Sequence, residues 1–170
     1  MSQLDTFRSQ KDEFFRVHPQ SPLTPGQQAD FQGLSYFPEN PDLRIEAEVQ
    51  PFSEQDEIVM QTSTGDTRSY RRYGRLQFTV DGQPAGLTLY ADEHGFFLPF
   101  VDALAGKETY GAGRYLEPRP LDDGTFLVDF NLAYNPYCAY NEQWSCPLTP
   151  FEKRLSVPIR AGEKLFAAKA

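Results

Sequence analysis

Leu43, Ile45, Ala47 and Val49 alternate with Arg44, Glu46 and Glu48, a period of two that predicts a half-buried strand. The same period runs through Leu76, Phe78 and Val80 up to Asp81-Gly82, a dipeptide that favours a two-residue hairpin turn. Leu87 and Leu89 continue beyond it. Residues 57–63 and 68–73 flank Thr64-Gly65-Asp66 and read as a second hairpin. Residues 96–101, 113–117 and 126–130 are further short strands. Residues 155–159 are another, restricted to an edge or irregular position by Pro158. Leu43, Ile45, Val49, Leu76, Phe78, Val80, Leu87, Leu89, Phe126, Val128 and Phe130 are the expected core.

One stretch carries a helical period. Leu4, Phe7, Phe14 and Phe15 fall on one side, Ser2 can cap the first turn with Asp5 as its reciprocal partner, and His18-Pro19 ends it. This helix is expected to lie across a sheet or close one end of a barrel. The pattern therefore predicts a mainly β fold: an antiparallel barrel or sandwich of about eight strands with one N-terminal helix. The 170 residues are expected to form a single domain, with a helix at 1–18, an irregular arm at 19–42 and a β domain at 43–160.

Charge narrows the partners. A net charge of −8 argues against nucleic acid and against an anionic membrane surface, since both call for clustered Lys and Arg. No apolar run approaches the roughly 20 residues of a membrane helix, and residues 1–19 have no leader-like apolar core, so a cytoplasmic location is expected. Thiols are then the default state of the two cysteines.

The stretch 129–150 is the chemical oddity of the chain. It holds Tyr134, Tyr137, Tyr140 and Trp144 with both cysteines, Cys138 and Cys146, inside proline boundaries. Zinc needs more ligands than two Cys and two distant His supply, so no metal or cofactor is expected. The cysteines read as packed thiols, a disulfide or redox pair, or, least readily, a nucleophile, for which the local sequence offers no base. The glycines at 111 and 113 read as a tight turn rather than an anion nest. Arg114, leaving that turn, needs an anionic partner if it points inward. Asp129 or Glu108 is the expected partner, through a hairpin pairing 114–117 with 126–129. Asp129 and Asn131 share the strand face opposite Phe130, either in solvent or in a pocket.

Glu108-Thr109-Tyr110-Gly111-Ala112-Gly113-Arg114-Tyr115, the run Asp129-Phe130-Asn131-Leu132-Ala133-Tyr134-Asn135-Pro136-Tyr137-Cys138-Ala139-Tyr140, and Cys146-Pro147-Leu148-Thr149-Pro150-Phe151-Glu152-Lys153-Arg154-Leu155 carry a resemblance. So do Lys11-Asp12 and Ala161-Gly162-Glu163-Lys164. The chain resembles an uncharacterised prokaryotic family, one of the domains of unknown function. The resemblance implies a mostly β protein and brings no established activity. It adds positions to inspect: Glu108, Tyr110, Arg114, Asp129, Asn131, Tyr134, Asn135, Cys138 and Cys146.

Three functions follow as expectations. The first is a small-molecule-binding β domain with a pocket near the 131–150 aromatic loop, using Glu108, Tyr110, Arg114, Asp129, Asn131, Tyr134 and Asn135. The second is a hydrolase-like enzyme using Asp129 or Glu108 with Arg114. The third is an oligomeric structural or interaction protein, a homodimer through the aromatic loop.

Overall fold

A computed structural model describes residues 2–148 and 153–166. The chain starts with α1 (Gln3–Val17) and α2 (Pro25–Asp30), then forms β1 (Arg44–Ala47), β2 (Val49–Pro51), β3 (Glu57–Gln61), β4 (Thr67–Val80) and β5 (Gln83–Asp92). It continues through β6 (Gly95–Phe100), β7 (Arg114–Leu116), β8 (Arg119–Pro120) and β9 (Phe126–Asp129). All strand pairs are antiparallel. One sheet has three strands in the order β1-β9-β8. The other has six, ordered β2-β4-β5-β6-β7, with β3 also paired to β4. The sheets stay open, so the architecture is closer to the sandwich alternative than to a closed barrel. No helix among the described residues is long and apolar enough to cross a membrane.

The shared core follows the alternation in the sequence. Leu43, Ala47, Phe126 and Val128 from the small sheet and its approach meet Leu76, Phe78, Val80, Leu87, Leu89, Leu98 and Phe100 from the large one. Ile45 and Val49 are only partly buried against it. The Asp81-Gly82 turn has φ 51° and 79°, the two left-handed residues of a primed hairpin turn. Residues 68–73 and 76–80, expected as separate strands, form one β4, because the register shift between Arg72 and Gly74 absorbs the irregularity. At Gly74 a Cβ would lie 2.6 Å from the Gln50 carbonyl oxygen, so the close approach of β2 requires glycine.

Residues 43–49, expected as one strand, divide between the two sheets as β1 and β2. Leu155, Val157 and Ile159 alternate inward as expected, yet no strand forms there. The Val101 and Ala103 amides donate to Lys153 and Val157, the Leu155 amide donates back to Val101, and the Ile159 amide is taken by the Asp102 side chain. Pro158 has no amide to extend a ladder.

The capping box on α1 is formed by Ser2 and Asp5. The helix does not lie across a sheet or close a barrel. Its Phe15 packs with Leu23 and Tyr140, flanked by Phe14, Phe31, Leu34, Tyr137 and Phe166, so α1 sits on the arm and the aromatic loop. The arm itself carries α2, capped by Thr24 with Gln27 in return and with Pro25 in the first turn.

Candidate functional site

Arg114 opens β7, and β7 pairs with β6 instead of β9, whose free edge is taken by β8. The expected hairpin between 114–117 and 126–129 is therefore absent, and Arg114 reaches neither Asp129 nor Glu108. It is 1% exposed. Its Nη1 donates to the carbonyls of Ala161 (2.6 Å) and Glu163 (3.0 Å), and its Nη2 to that of Ile159 (2.9 Å). Asp102 supplies the countercharge, its Oδ2 lying 3.6 Å from Nη2. Asp102 is buried too, and accepts from Thr109 Oγ1 (2.9 Å) and the Ile159 amide (2.8 Å). Burial lowers the Arg114 pKa to about 10, which keeps it charged at neutral pH. This guanidinium is a clamp on the backbone of residues 159–163.

The other charged candidates are also architectural. Glu108 forms an exposed pair with Arg160 (2.9 Å) and Asp129 a pair with Arg44 (3.3 Å). The chain leaves strand geometry at Asp129 and makes a 3-10 turn, Phe130–Leu132, so simple alternation no longer holds. Asp129 Oδ1 accepts from the Asn131 amide (3.0 Å). Buried Asn131 accepts from the Asn40 amide (2.8 Å) and donates to the Asn40 carbonyl (2.9 Å), tying the arm to the small sheet.

Glu163 is the centre of a second buried node that residue patterns did not single out. Lys11 of α1 forms a salt bridge with its Oε2, the Tyr140 hydroxyl donates to its Oε1, and the Asn135 amide reaches the same oxygen at 3.2 Å. Desolvation, followed by the nearby Glu163 charge, raises the Tyr140 pKa well above the ordinary phenol value. Asn135 Nδ2 donates to the Lys164 carbonyl (3.0 Å). Helix, aromatic loop and C-terminal segment thus meet on one carboxylate.

An open site lies on the second face of the large sheet. Tyr70, Phe97, Tyr115 and Tyr134 form a continuous row of rings, with successive centroids 5.2, 4.9 and 5.8 Å apart. The row lines a cavity of about 590 Å3 together with Arg68, Asp92, His94, Glu117 and Arg119. A second cavity of about 580 Å3 shares Arg68, Tyr115, Tyr134 and Pro147 and continues to Lys11, Phe7, Trp144 and Cys146. Its walls are fixed. The Tyr115 and Tyr134 backbones exchange hydrogen bonds, the Tyr115 hydroxyl donates to the Pro147 carbonyl, and that of Tyr134 to Glu117. Desolvation pushes both phenols above their ordinary pKa, so they stay neutral.

Among the candidates, Tyr134 and Cys146 line these cavities. Glu108, Tyr110, Arg114, Asp129, Asn131, Asn135 and Cys138 do not. Tyr110 turns to the thiols, its hydroxyl 4.0 Å from Cys138 Sγ. Both cysteines are free. Positions 149 and 150 of the loop, and Phe151 and Glu152 beyond it, lie outside the described residues. Phe97, Tyr115 and Glu117 were not foreseen as lining residues. A signal existed: residues 96–101 are apolar on both faces, which marks a strand covered on both sides.

Comparison with known proteins agrees with the fold. A solution NMR structure of an uncharacterized protein, from gene locus rrnAC0354 of Haloarcula marismortui, is similar at 42% sequence identity. The match covers 95% of this chain and 92% of that one, with a TM-score of 0.70. No match is found among curated proteins. The family described as protein of unknown function DUF1684 matches residues 29–164, and the chain belongs to that family.

Proposed function

We propose that the protein is a binding module for a small organic ligand with a flat apolar face, seated along the Tyr70–Phe97–Tyr115–Tyr134 row. The observation that carries this reading is the row itself: four rings in succession on the wall of a cavity, held by strand register and hydrogen bonds, with Tyr70, Phe97 and Tyr115 buried and Tyr134 half-buried. Pre-ordered aromatic walls with a few convergent polar groups are the usual make-up of small-molecule sites. Arg68, Glu117 and Arg119 at the rim would orient the ligand's polar end. The hydrolase-like reading loses support, because Arg114 stands apart from both Asp129 and Glu108. The two free thiols fit the cytoplasmic location that belongs to this reading.

Native mass spectrometry of the purified protein tests the proposal through a co-purifying small molecule. NMR then tests whether that molecule, or a panel of flat aromatic compounds, shifts the signals of the four rings. Arg68→Gln and Glu117→Gln should weaken binding without unfolding the chain. Unchanged ring signals across the panel, with no co-purifying mass, overturn it.

A second reading rests on Phe7 and Trp144, which are 44% and 38% exposed and flank the second cavity. They suit a homodimer contact through the aromatic loop. The native mass decides it: a dimer that Trp144→Ser dissolves supports this reading, and a wild-type monomer removes it.

A further inference from the structure

Cys138 and Cys146 stand together within the aromatic loop, and the proposed ligand site does not use them as a pair. The Cys138 amide donates to Cys146 Sγ at 3.2 Å, so one sulfur rests against the residue that bears the other. Ser63 braces the pair, accepting from the Cys146 amide at 3.2 Å. The Tyr110 hydroxyl faces Cys138 Sγ from another side. The surroundings differ in access: Cys138 is half-buried and Cys146 is buried.

We propose that Cys138 and Cys146 are a redox-active dithiol that exchanges with low-molecular-weight disulfides, Cys138 attacking and Cys146 resolving. The Cys138 thiolate attacks one sulfur of the small disulfide. A bond forms between them, the disulfide bond breaks, and one thiolate leaves to take up a proton. Cys146 then loses its proton and attacks Cys138 Sγ. The mixed disulfide breaks and a second small thiol departs. The protein gives up two electrons and two protons, and one small disulfide becomes two thiols, so the step balances without a metal or cofactor.

The geometry supplies what the sequence lacked. No base neighbours Cys138 in the chain, but the Cys146 thiol acts as a hydrogen-bond donor to its thiolate. That bond, helped by Tyr110 and Ser63 against the opposing cost of burial, pulls the Cys138 pKa down to about 6. The same bond, with burial, pushes Cys146 upward, which keeps it protonated until the mixed disulfide removes the charge beside it. Attacking and resolving roles are thereby assigned by environment. The ring between the two cysteines also carries Trp144, the one tryptophan of the chain, which contacts Tyr137 at 5.1 Å. Closing the disulfide should move this indole.

The test uses reduced full-length protein and glutathione disulfide. Peptide mapping should find an internal Cys138–Cys146 disulfide, with two glutathione thiols released per chain and a change in Trp144 fluorescence. Cys146→Ser should stop at a mixed disulfide on Cys138, and Cys138→Ser should react at least about tenfold more slowly. A readout that needs no variant is the pH profile of iodoacetamide alkylation on the wild type. Cys138 should reach half its maximal rate near pH 6, with Cys146 protected. A Cys138 profile centred near the ordinary 9.0, or mapping that shows no internal disulfide, overturns the proposal.

Discussion

The β3–β6 meander and the described residues between Asp129 and Phe166 are both densely packed, yet they are held in different ways. In the meander, strand pairs satisfy the backbone, and side chains only have to fill a core: Leu76, Leu87, Leu89 and Leu98 are fully buried without polar partners. The later stretch has no ladder of its own among the described residues. Its carbonyls and amides are shared between scattered backbone partners, such as Tyr115 with Tyr134 and Val101 with Leu155, and side chains: Arg114 on residues 159, 161 and 163, Asn135 on Lys164, Asp102 on Ile159. Buried backbone groups need partners, so an irregular segment can be buried where scattered backbone contacts and polar side chains together supply them. Polar residues crowded into a loop can therefore be scaffold, while the candidate site is made mainly of rings from the large sheet.

The contrast can be broken hardest at Arg114. Arg114→Met should lose about 3–5 kcal/mol in urea unfolding, because three carbonyls and the buried Asp102 lose their partner at once. Leu98→Ala, its counterpart in the meander, should cost about 2–5 kcal/mol through cavity formation alone, with no coupling to Asp102→Asn. Next comes Gly162→Ala. Its φ of +80° strains any side chain, and the new methyl carbon would lie 2.7 Å from the Ala133 carbonyl oxygen. A loss of about 1–3 kcal/mol is expected by the same measurement.

Glu108→Gln sharpens the comparison from the other side. The Glu108–Arg160 pair is exposed, with side chains 39% and 55% accessible, and should contribute only about 0–1 kcal/mol, further reduced by salt. The smallest effect is a pH effect. Asp66 accepts from Thr62, Thr64 and Ser145, tying the β3–β4 turn to the aromatic loop, and these bonds lower its pKa from 3.8 to about 2. A lowered folded-state pKa means the tie contributes fully above 3.8 and is lost as pH falls through 2. Carboxyl NMR titration should place the midpoint near 2, and Ser145→Ala should move it upward.

Most of the meander was legible because its information is local. Alternation, the Asp81-Gly82 turn and the Ser2–Asp5 capping box each sit within a few residues of what they specify. α2 was missed, because residues 19–42 read as an irregular arm, although Thr24-Pro25-Gly26-Gln27 carries its capping box and proline suits the first helical turn. The partners of Arg114 were not legible. They are carbonyls 45 to 49 residues further on, and a carbonyl carries no side-chain signature. Nor was the aromatic row, since Tyr70, Phe97, Tyr115 and Tyr134 come from four separate segments. What the sequence did offer was the crowding of tyrosines and cysteines after Asp129, which points to the right region without saying which residues face open space.

The Lys11–Glu163 bridge has a consequence in time. It joins residues 152 positions apart, and the Arg114 clamp likewise waits for residues 159–163. On the ribosome the meander can pair as it emerges, whereas α1 cannot make its bridge until Glu163 has been synthesised. Closing so long a loop is entropically late, and until then the rings of α1 and the aromatic loop are open to wrong partners. Folding of this protein should therefore begin in the meander and finish with α1 docking last.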